Sequence, residues 1–239
     1  MRLSPGMRDN IAKAKAKQTN HAVAHDATAS LDSLHLRLIE FEQDKKALKS
    51  FVQIAQKVNH KREVLIPKYK PAAEAYLEAG ESYQNPIFTD LIVWLVDTSD
   101  FDTALEWVEK AIERELPTPE NFKCTWPTFI AREVLEWATN QQSFGNSVDP
   151  YFSTVFEKLW KEEWVIPEKL YAEWLKFAGY GLLLNSKGEP QPSQVGTIEQ
   201  LEKAKALLLK AHEVHSKCGV KTKIGQIDMR IRAIQDGKL

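Results

Sequence analysis

Apolar residues recur every three or four positions along most of the chain, which is the spacing of one face of an α-helix. The clearest series lies after residue 30, and Lys45 is the one position that interrupts it: Leu31, Leu34, Leu38, Phe41, Leu48, Val52 and Ala55. Written as heptads, these residues fall on a and d positions. The pattern predicts one long helix with a narrow apolar seam. Such a helix is typical of a coiled-coil-like hairpin or a subunit interface, or it packs on the body of its own chain.

Prolines and capping residues mark the further helices. Asn85-Pro86 places an N-cap and a first-turn proline before the apolar run IFTDLIVWLV. Pro67 and Pro71 predict a break, followed by a short helix that ends at Gly80. Convincing period-two alternation is lacking, and no Asn-Gly or Asp-Gly hairpin turn joins two strand-like runs. The sequence therefore predicts an all-α protein, with more helices at 128–140, after Pro150, after Pro167 and at 220–235, and a loop at 185–196.

Three acids, Asp97, Asp100 and Asp102, lie between an apolar helix and an amphipathic one. Ser99 precedes Asp102 by the three residues of a capping box, and the segment lacks the glycine and the final glutamate of a calcium-binding EF-hand loop. We interpret the acids as a polar corner. The two helices, LIVWLVDTSDFDTALEWVEKAIE, resemble one tetratricopeptide-type hairpin, and residues 171–216 resemble a second.

Charge is distributed unevenly although the net charge is −1. Residues 1–70 carry 14 Lys+Arg against 7 Asp+Glu, residues 71–180 carry 8 against 20, and residues 181–239 carry 10 against 6. This asymmetry favours a basic end that faces a polyanion and an acidic body that faces another partner, over a chance distribution of solvated charges. We therefore divide the chain into residues 1–80, a basic helical region for DNA binding and oligomerisation, and residues 81–239, a helical-repeat body.

The basic residues form two groups, one near the N-terminus and one near the predicted end of the long helix. Lys13 and Lys17 are four residues apart, as are Lys57 and Lys61, so each pair shares a helix face. No zinc-finger spacing or helix-turn-helix is present, which favours contact with phosphates over readout of bases. The residues that we predict to bind DNA are Arg8, Lys13, Lys15, Lys17, Lys57, Lys61, Arg62 and Lys68.

Motifs for catalysis are lacking. The chain has no phosphate-binding P-loop and no G-x-S-x-G nucleophile turn, and its two histidine pairs, His21/His25 and His212/His215, each lack a third ligand for zinc. No catalytic residue, metal site or cofactor is therefore predicted. No apolar run approaches the ~18 residues that span a bilayer, so we expect no membrane segment and a cytoplasmic protein.

Five segments, in their order along the chain, carry a family resemblance. A Ser-Pro near the start is followed by KREVLIPKY, LIVWLVDTSDFDTALEWVEKAI, TWPTFIAREVLEWA and SKCGVKTKIGQIDMRI. This order resembles the small terminase subunit of temperate tailed phages of the Peduovirus type, a family also labelled the terminase endonuclease subunit. The resemblance covers nearly the whole chain, and its motifs are packing and turn motifs.

The resemblance implies a role in packaging concatemeric viral DNA inside the host cytoplasm. Such a subunit recognises double-stranded viral DNA, forms a homo-oligomer and recruits the large ATPase subunit of the terminase. Two other functions stay open at this point. One is a tetratricopeptide-like adaptor that binds only protein, and the other is an intrinsic nuclease that uses Asp97, Asp100, Asp102 and Glu106.

Overall fold

A computed structural model describes residues 35–80 and 83–238. This part of the chain is helical, and its one β-type pairing is an isolated bridge between Leu184 and Pro190. The predicted all-α class is confirmed. Helix α1 is described from residue 35 to residue 48. The others are α2 (Ile54–His60), α3 (Ile66–Glu78), α4 (Pro86–Asp97), α5 (Phe101–Glu113), α6 (Trp126–Ser143), α7 (Tyr151–Trp160), α8 (Glu168–Gly181), α9 (Ile198–Val214) and α10 (Lys221–Gln235).

The chain divides into two compact units, with the boundary between Asp100 and Phe101. The first unit contains α1 to α4, and the second contains α5 to α10. The division at residue 80 that we proposed from charge concerns function, and it stays a prediction.

The prediction of one continuous helix from Leu31 to Ala55 is wrong for its described part. Helix α1 ends at residue 48, a turn follows, and α2 begins at Ile54. Phe41 and Leu48 are buried, whereas Val52 is 92% exposed. The ring of Phe41 packs 4.9 Å from that of Tyr69 and 5.2 Å from that of Trp94. The described seam thus packs on its own chain, which was one of the alternatives that the pattern allowed.

The predicted break at Pro67 and Pro71 is also wrong. Helix α2, a π-helical segment at Lys61–Leu65 and α3 follow one another without a gap, so the backbone stays helical from Ile54 to Glu78. The π-helical segment ends two residues before Pro67, and its wider turn leaves room for a proline ring that would disturb regular α-helix. The stretch ends as predicted near Gly80, whose φ of 68° suits a helix C-terminus.

Helix α4 is buried on all sides. Asn85 caps it as predicted, because its side-chain oxygen accepts hydrogen bonds from the backbone N–H groups of Ile87 and Phe88. Every residue from Ile87 to Val96 is buried. One of them, Asp90, carries a charge, and α4 packs stably only where that charge has a partner.

Lys45 supplies the partner. Its Nζ lies 2.7 Å from Oδ2 of Asp90 and 3.0 Å from Oε1 of Glu42. Burial raises the pKa of the Asp90 carboxyl, and Lys45 opposes that rise. Burial also acts to lower the pKa of Lys45, but Asp90 and Glu42 outweigh it and leave this pKa raised. The lysine that interrupts the apolar seam therefore joins α1 to α4.

In the second unit α8 packs along α9, and α9 packs against α10. Buried tryptophans connect separate elements. Nε1 of Trp126 donates to the Leu116 carbonyl at 2.9 Å, and Nε1 of Trp174 donates to the Ala131 carbonyl at 3.0 Å. The long α8–α9 pair agrees with the hairpin that we predicted at 171–216, whereas its tetratricopeptide-like character stays a prediction.

Removal of Lys45 should destabilise the protein through Asp90. We expect Lys45→Met to lower the free energy of unfolding at pH 7 by about 2 kcal/mol, because a mostly buried carboxylate loses its partner. The folded-state pKa of Asp90 should then rise further. Since a raised pKa favours the neutral acid, the loss should shrink as pH falls from 7 towards about 4.

Urea denaturation at both pH values measures these effects. Lys46→Met is the matched control, because Lys46 is exposed and contacts no acid among the described residues. Lys45→Met/Asp90→Leu should regain most of the lost stability, since both charges are then absent. A Lys45→Met protein as stable as the Lys46→Met control at pH 7 would contradict this account.

Candidate nucleic-acid interface

The residues predicted to bind DNA fall into two sets. Arg8, Lys13, Lys15 and Lys17 lie outside the described residues. Lys57 lies on α2, Lys61 and Arg62 in the π-helical segment, and Lys68 on α3. The second set therefore lies along one continuous helical stretch, Ile54–Glu78.

Lys61 and Arg62 contact the C-terminal end of α4. Nζ of Lys61 lies 2.5 Å from Oδ2 of Asp97, and Nη2 of Arg62 donates to the carbonyl oxygen of Thr98 at 3.0 Å. The last carbonyls of a helix have no partner within it and carry partial negative charge, so cations stabilise this end. These two residues therefore contribute to the packing of α4, and Lys61 is largely neutralised.

Lys68 is held by two acids of α1. Its Nζ lies 2.8 Å from Glu40 and 2.7 Å from Asp44, which also accepts a hydrogen bond from the Tyr69 hydroxyl at 2.7 Å. The hydrogen bond to Asp44 is the main cause of the raised pKa of Lys68. Burial, together with the same carboxylate, raises the pKa of Tyr69 to about 12. Burial alone would raise the pKa of Asp44, but its two donors outweigh burial and lower it.

Lys57 differs from these three residues. It is half-buried and contacts no acid among the described residues. The ring of Phe51, in the turn after α1, packs 5.0 Å from the ring of His60, one turn beyond Lys57 on α2. This contact brings the end of α1 back towards α2. Lys57 is thus the described candidate whose side chain is neither paired with an acid nor held by a backbone carbonyl of the described residues.

The same region holds two lysines that the sequence analysis missed. Lys46 and Lys49 are exposed near the end of α1, and neither contacts an acid in the part of the chain that the structure describes. We assigned this stretch to an apolar seam and did not consider its outer face. Their spacing of three residues was the available signal. We call Lys46, Lys49 and Lys57 the α1–α2 lysines.

The acids that follow α4 form a helix end and a helix start. Asp97 contacts Lys61, as described above. The Ser99 N–H donates to the Val96 carbonyl, and the Asp100 N–H donates to the Leu95 carbonyl, which is the Schellman pattern of a helix C-terminus. Ser99 therefore terminates α4 at a φ of 63°. Because α5 begins at Phe101, the residue at its N-cap position is Asp100, and the predicted capping role of Ser99 is wrong.

Residues 35–80 and 83–238 contain no group of three or more His, Cys, Asp and Glu side chains that could hold a metal ion. Within the same ranges no helix has both the length and the apolar character needed to cross a membrane. His21 and His25 lie outside the described residues. Nδ1 of His212 is buried, and no described residue hydrogen-bonds to it.

Comparisons with known proteins point to one family. Residues 38–169 match the family model described as the phage small terminase subunit. The chain is 33% identical to the "Probable terminase, endonuclease subunit" of Haemophilus phage HP1, over 96% of this chain and 83% of that protein. It is 26% identical to the "Terminase, endonuclease subunit" of Escherichia phage P2, over 97% of this chain and 83% of that protein. No solved structure gives a significant match.

The end of α4 offers a test of the Schellman assignment. A non-glycine residue at positive φ is strained, so Ser99→Gly should raise the free energy of unfolding by about 1 kcal/mol. Ser216→Gly is the matched control, because Ser216 is an exposed turn residue without the positive φ of Ser99. That change should leave stability unchanged or lower it, since glycine increases the entropy of the unfolded chain. Thermal unfolding of the two variants side by side measures the difference, and equal effects would exclude strain at Ser99.

Proposed function

Because this chain belongs to the phage small terminase subunit family, we propose that it binds viral DNA, associates with other copies of itself and recruits the large ATPase subunit. These activities serve packaging of viral DNA in the host cytoplasm. The names of the HP1 and P2 relatives place those proteins in terminases. The proposal for this chain rests on that relationship and on its own distribution of charge.

The observation that carries DNA binding is the set of α1–α2 lysines. Neighbouring cations in the same unit are neutralised, Lys61 by Asp97 and Lys68 by Glu40 and Asp44. The α1–α2 lysines contact no acid among the described residues, so their charge is free to replace counterions on a phosphate backbone. The N-terminal residues Arg8, Lys13, Lys15 and Lys17 would extend the same interaction. Binding of this kind fixes position on DNA without reading base sequence.

Contacts with the large subunit are better suited to the N-terminal part of the second unit. Residues 101–180 carry 14 acids against 8 basic residues, which disfavours DNA on their surface. On α5, Asp102 and Glu106 are exposed one turn apart. Glu109 and Glu113 continue the same face, but they pair with Lys158 and Lys110. We propose that this acidic face meets a basic surface of the large subunit.

One observation favours the second candidate, an adaptor that binds protein and not DNA. Three of the four described residues that we predicted to bind DNA contact groups of their own chain, and for Lys61 and Lys68 these groups are carboxylates that neutralise the charge. On this alternative the α1–α2 lysines form a solvated surface. A direct measurement of DNA affinity separates the two functions.

Substitution of the α1–α2 lysines tests DNA binding. Lys46→Ala/Lys49→Ala/Lys57→Ala should weaken binding to duplex DNA and flatten the dependence of log affinity on log salt by about 0.9 for each lost phosphate contact. Lys68→Ala should have a smaller effect, because two carboxylates already neutralise Lys68. Lys61 and Arg62 stay unchanged in this test, since alanine there would also disturb the end of α4.

Fluorescence anisotropy with labelled duplex at several salt concentrations measures affinity and slope together. Lys187→Ala is the control, since Lys187 is an exposed lysine of the second unit. If the triple variant binds DNA and its slope of log affinity against log salt is unchanged, DNA binds elsewhere than at the α1–α2 lysines. No binding by the unmodified chain would favour the adaptor.

The word endonuclease in the relatives' names raises the question of catalysis. We propose that this chain directs cutting of viral DNA by the terminase and does not perform it. The support is twofold. Two-metal nucleases bring several carboxylates together, and the described residues hold no such group. In addition, Asp97 is engaged by Lys61.

A nicking assay tests this point. The purified chain, incubated with supercoiled DNA and Mg²⁺ or Mn²⁺, should leave the DNA intact. If nicking occurs, Asp97→Asn/Asp100→Asn decides whether the acids at the end of α4 are responsible. Nicking by the unmodified chain would overturn the proposal, and loss of nicking in that variant, with unchanged DNA affinity, would assign catalysis to these acids.

A further inference from the structure

The second unit has an open apolar groove of about 300 Å³ between α7 and α9. Trp160 is its most exposed aromatic residue, with 47% of its surface accessible. Its ring lies 6.0 Å from that of Phe156, so the two aromatics form a continuous wall. The groove is lined by Ser153, Phe156, Glu157, Trp160 and Leu207. Exposed aromatic surface of this kind is characteristic of interaction sites.

The charges around the groove specify the chemistry of its occupant. Nζ of Lys210 lies 4.1 Å from the centre of the Trp160 ring, and Lys210 contacts no acid among the described residues. Glu157 in the groove wall is neutralised by Lys161, whose Nζ lies 2.5 Å away. The groove thus offers apolar surface beside one unneutralised cation. Its complement is an apolar side chain next to a carboxylate.

The same unit displays such a segment in the loop that follows α7. Val165 is 79% exposed, and Glu162 is exposed and contacts no basic residue in the described part of the chain. Two features hold the loop in place. Trp164 is buried beside Val165, and the Glu162 N–H donates to the Leu159 carbonyl at the end of α7. A rigid segment loses little entropy on binding.

We propose that the groove binds the Glu162–Val165 segment of a second copy of this chain, with Val165 against Trp160 and Glu162 facing Lys210. The inference rests on the self-association in the proposed function and assigns its surface. Each copy carries both the groove and the segment, so two copies related by a twofold axis form the contact twice. The exposure of Val165 and Glu162 shows that neither fills the groove of its own chain. The seam around Phe41 and Leu48 is buried in its own unit and does not serve this purpose.

Charge exchange tests the pairing. Sedimentation equilibrium of the full chain over a range of concentrations gives the self-association constant. Lys210→Glu and Glu162→Lys should each weaken self-association about tenfold, because each places like charges opposite one another. An equimolar mixture of the two variants should recover the original strength, since opposite charges then meet at both contacts. Trp160→Ala should weaken self-association at least tenfold, as expected for a central aromatic residue.

The control is Lys217→Glu, which makes the same charge change in the loop after α9, where Lys217 is exposed and contacts no described acid. Circular dichroism establishes that each variant is folded. A chain that is monomeric at every concentration would overturn the self-association in the proposed function. Self-association that withstands Lys210→Glu, Glu162→Lys and Trp160→Ala would leave that function intact and overturn this interface alone.

A third outcome would identify DNA, and not a second copy of this chain, as the occupant of the groove. If Trp160→Ala lowers affinity for labelled single-stranded or duplex DNA and leaves self-association unchanged, the groove is a nucleic-acid site and the proposal is overturned. If a mixture of the two charge variants associates no better than either variant alone, Glu162 does not face Lys210 and the proposed pairing is wrong.

Discussion

The first unit depends on the enclosure of α4, a helix that is buried from Ile87 to Val96. Burial on every side stabilises the unit through the apolar side chains, but it removes water from Asp90 and from the carbonyls at the helix end. Lys45 compensates the first, and Arg62 donates to the Thr98 carbonyl while Lys61 pairs with Asp97 at the same helix end. Much of the positive charge near α4 is therefore engaged in packing, and this engagement decides which cations remain for a partner.

In this unit the sign of a side chain's charge is thus a poor guide to function. Whether an acid of the same chain neutralises that charge is a better one. Lys61 and Lys68 carry the same charge as Lys46 and Lys49, yet the former face carboxylates of their own chain and the latter face solvent. Because ion pairs at the surface are weak and screened by salt, a strong polyanion competes best where no acid has to be displaced. The same reasoning singles out Lys210 in the second unit, where an unneutralised cation lies beside apolar surface.

Local features of the sequence predicted the fold class and the position of several helices. Asn85-Pro86 marks the start of α4, and Gly80 marks the end of the preceding helix, because both signals act within a few residues. The break after residue 48 and the helix through Pro67 were not predictable in this way. Helix α1 packs through contacts between distant residues, such as the pair formed by Lys45 and Asp90, and the helix passes Pro67 because a π-helical segment lies just before it. The candidate sites depend on such contacts even more: only the structure tells that Asp97 neutralises Lys61, and only the structure places Leu207 beside Trp160.

The π-helical segment at Lys61–Leu65 has a consequence for changes in chain length. A π-turn holds one residue more than an α-turn, so it accommodates an added residue in a helix whose two ends are already fixed. Here α2 is held through His60 and α3 through Tyr69, and the surplus residue is taken up between them. Loss of one residue from the segment would restore regular helix and rotate Lys61 and Arg62 by about 100° relative to α3. The two cations would then leave the end of α4, so the register of this unit is set by the number of residues in a single turn.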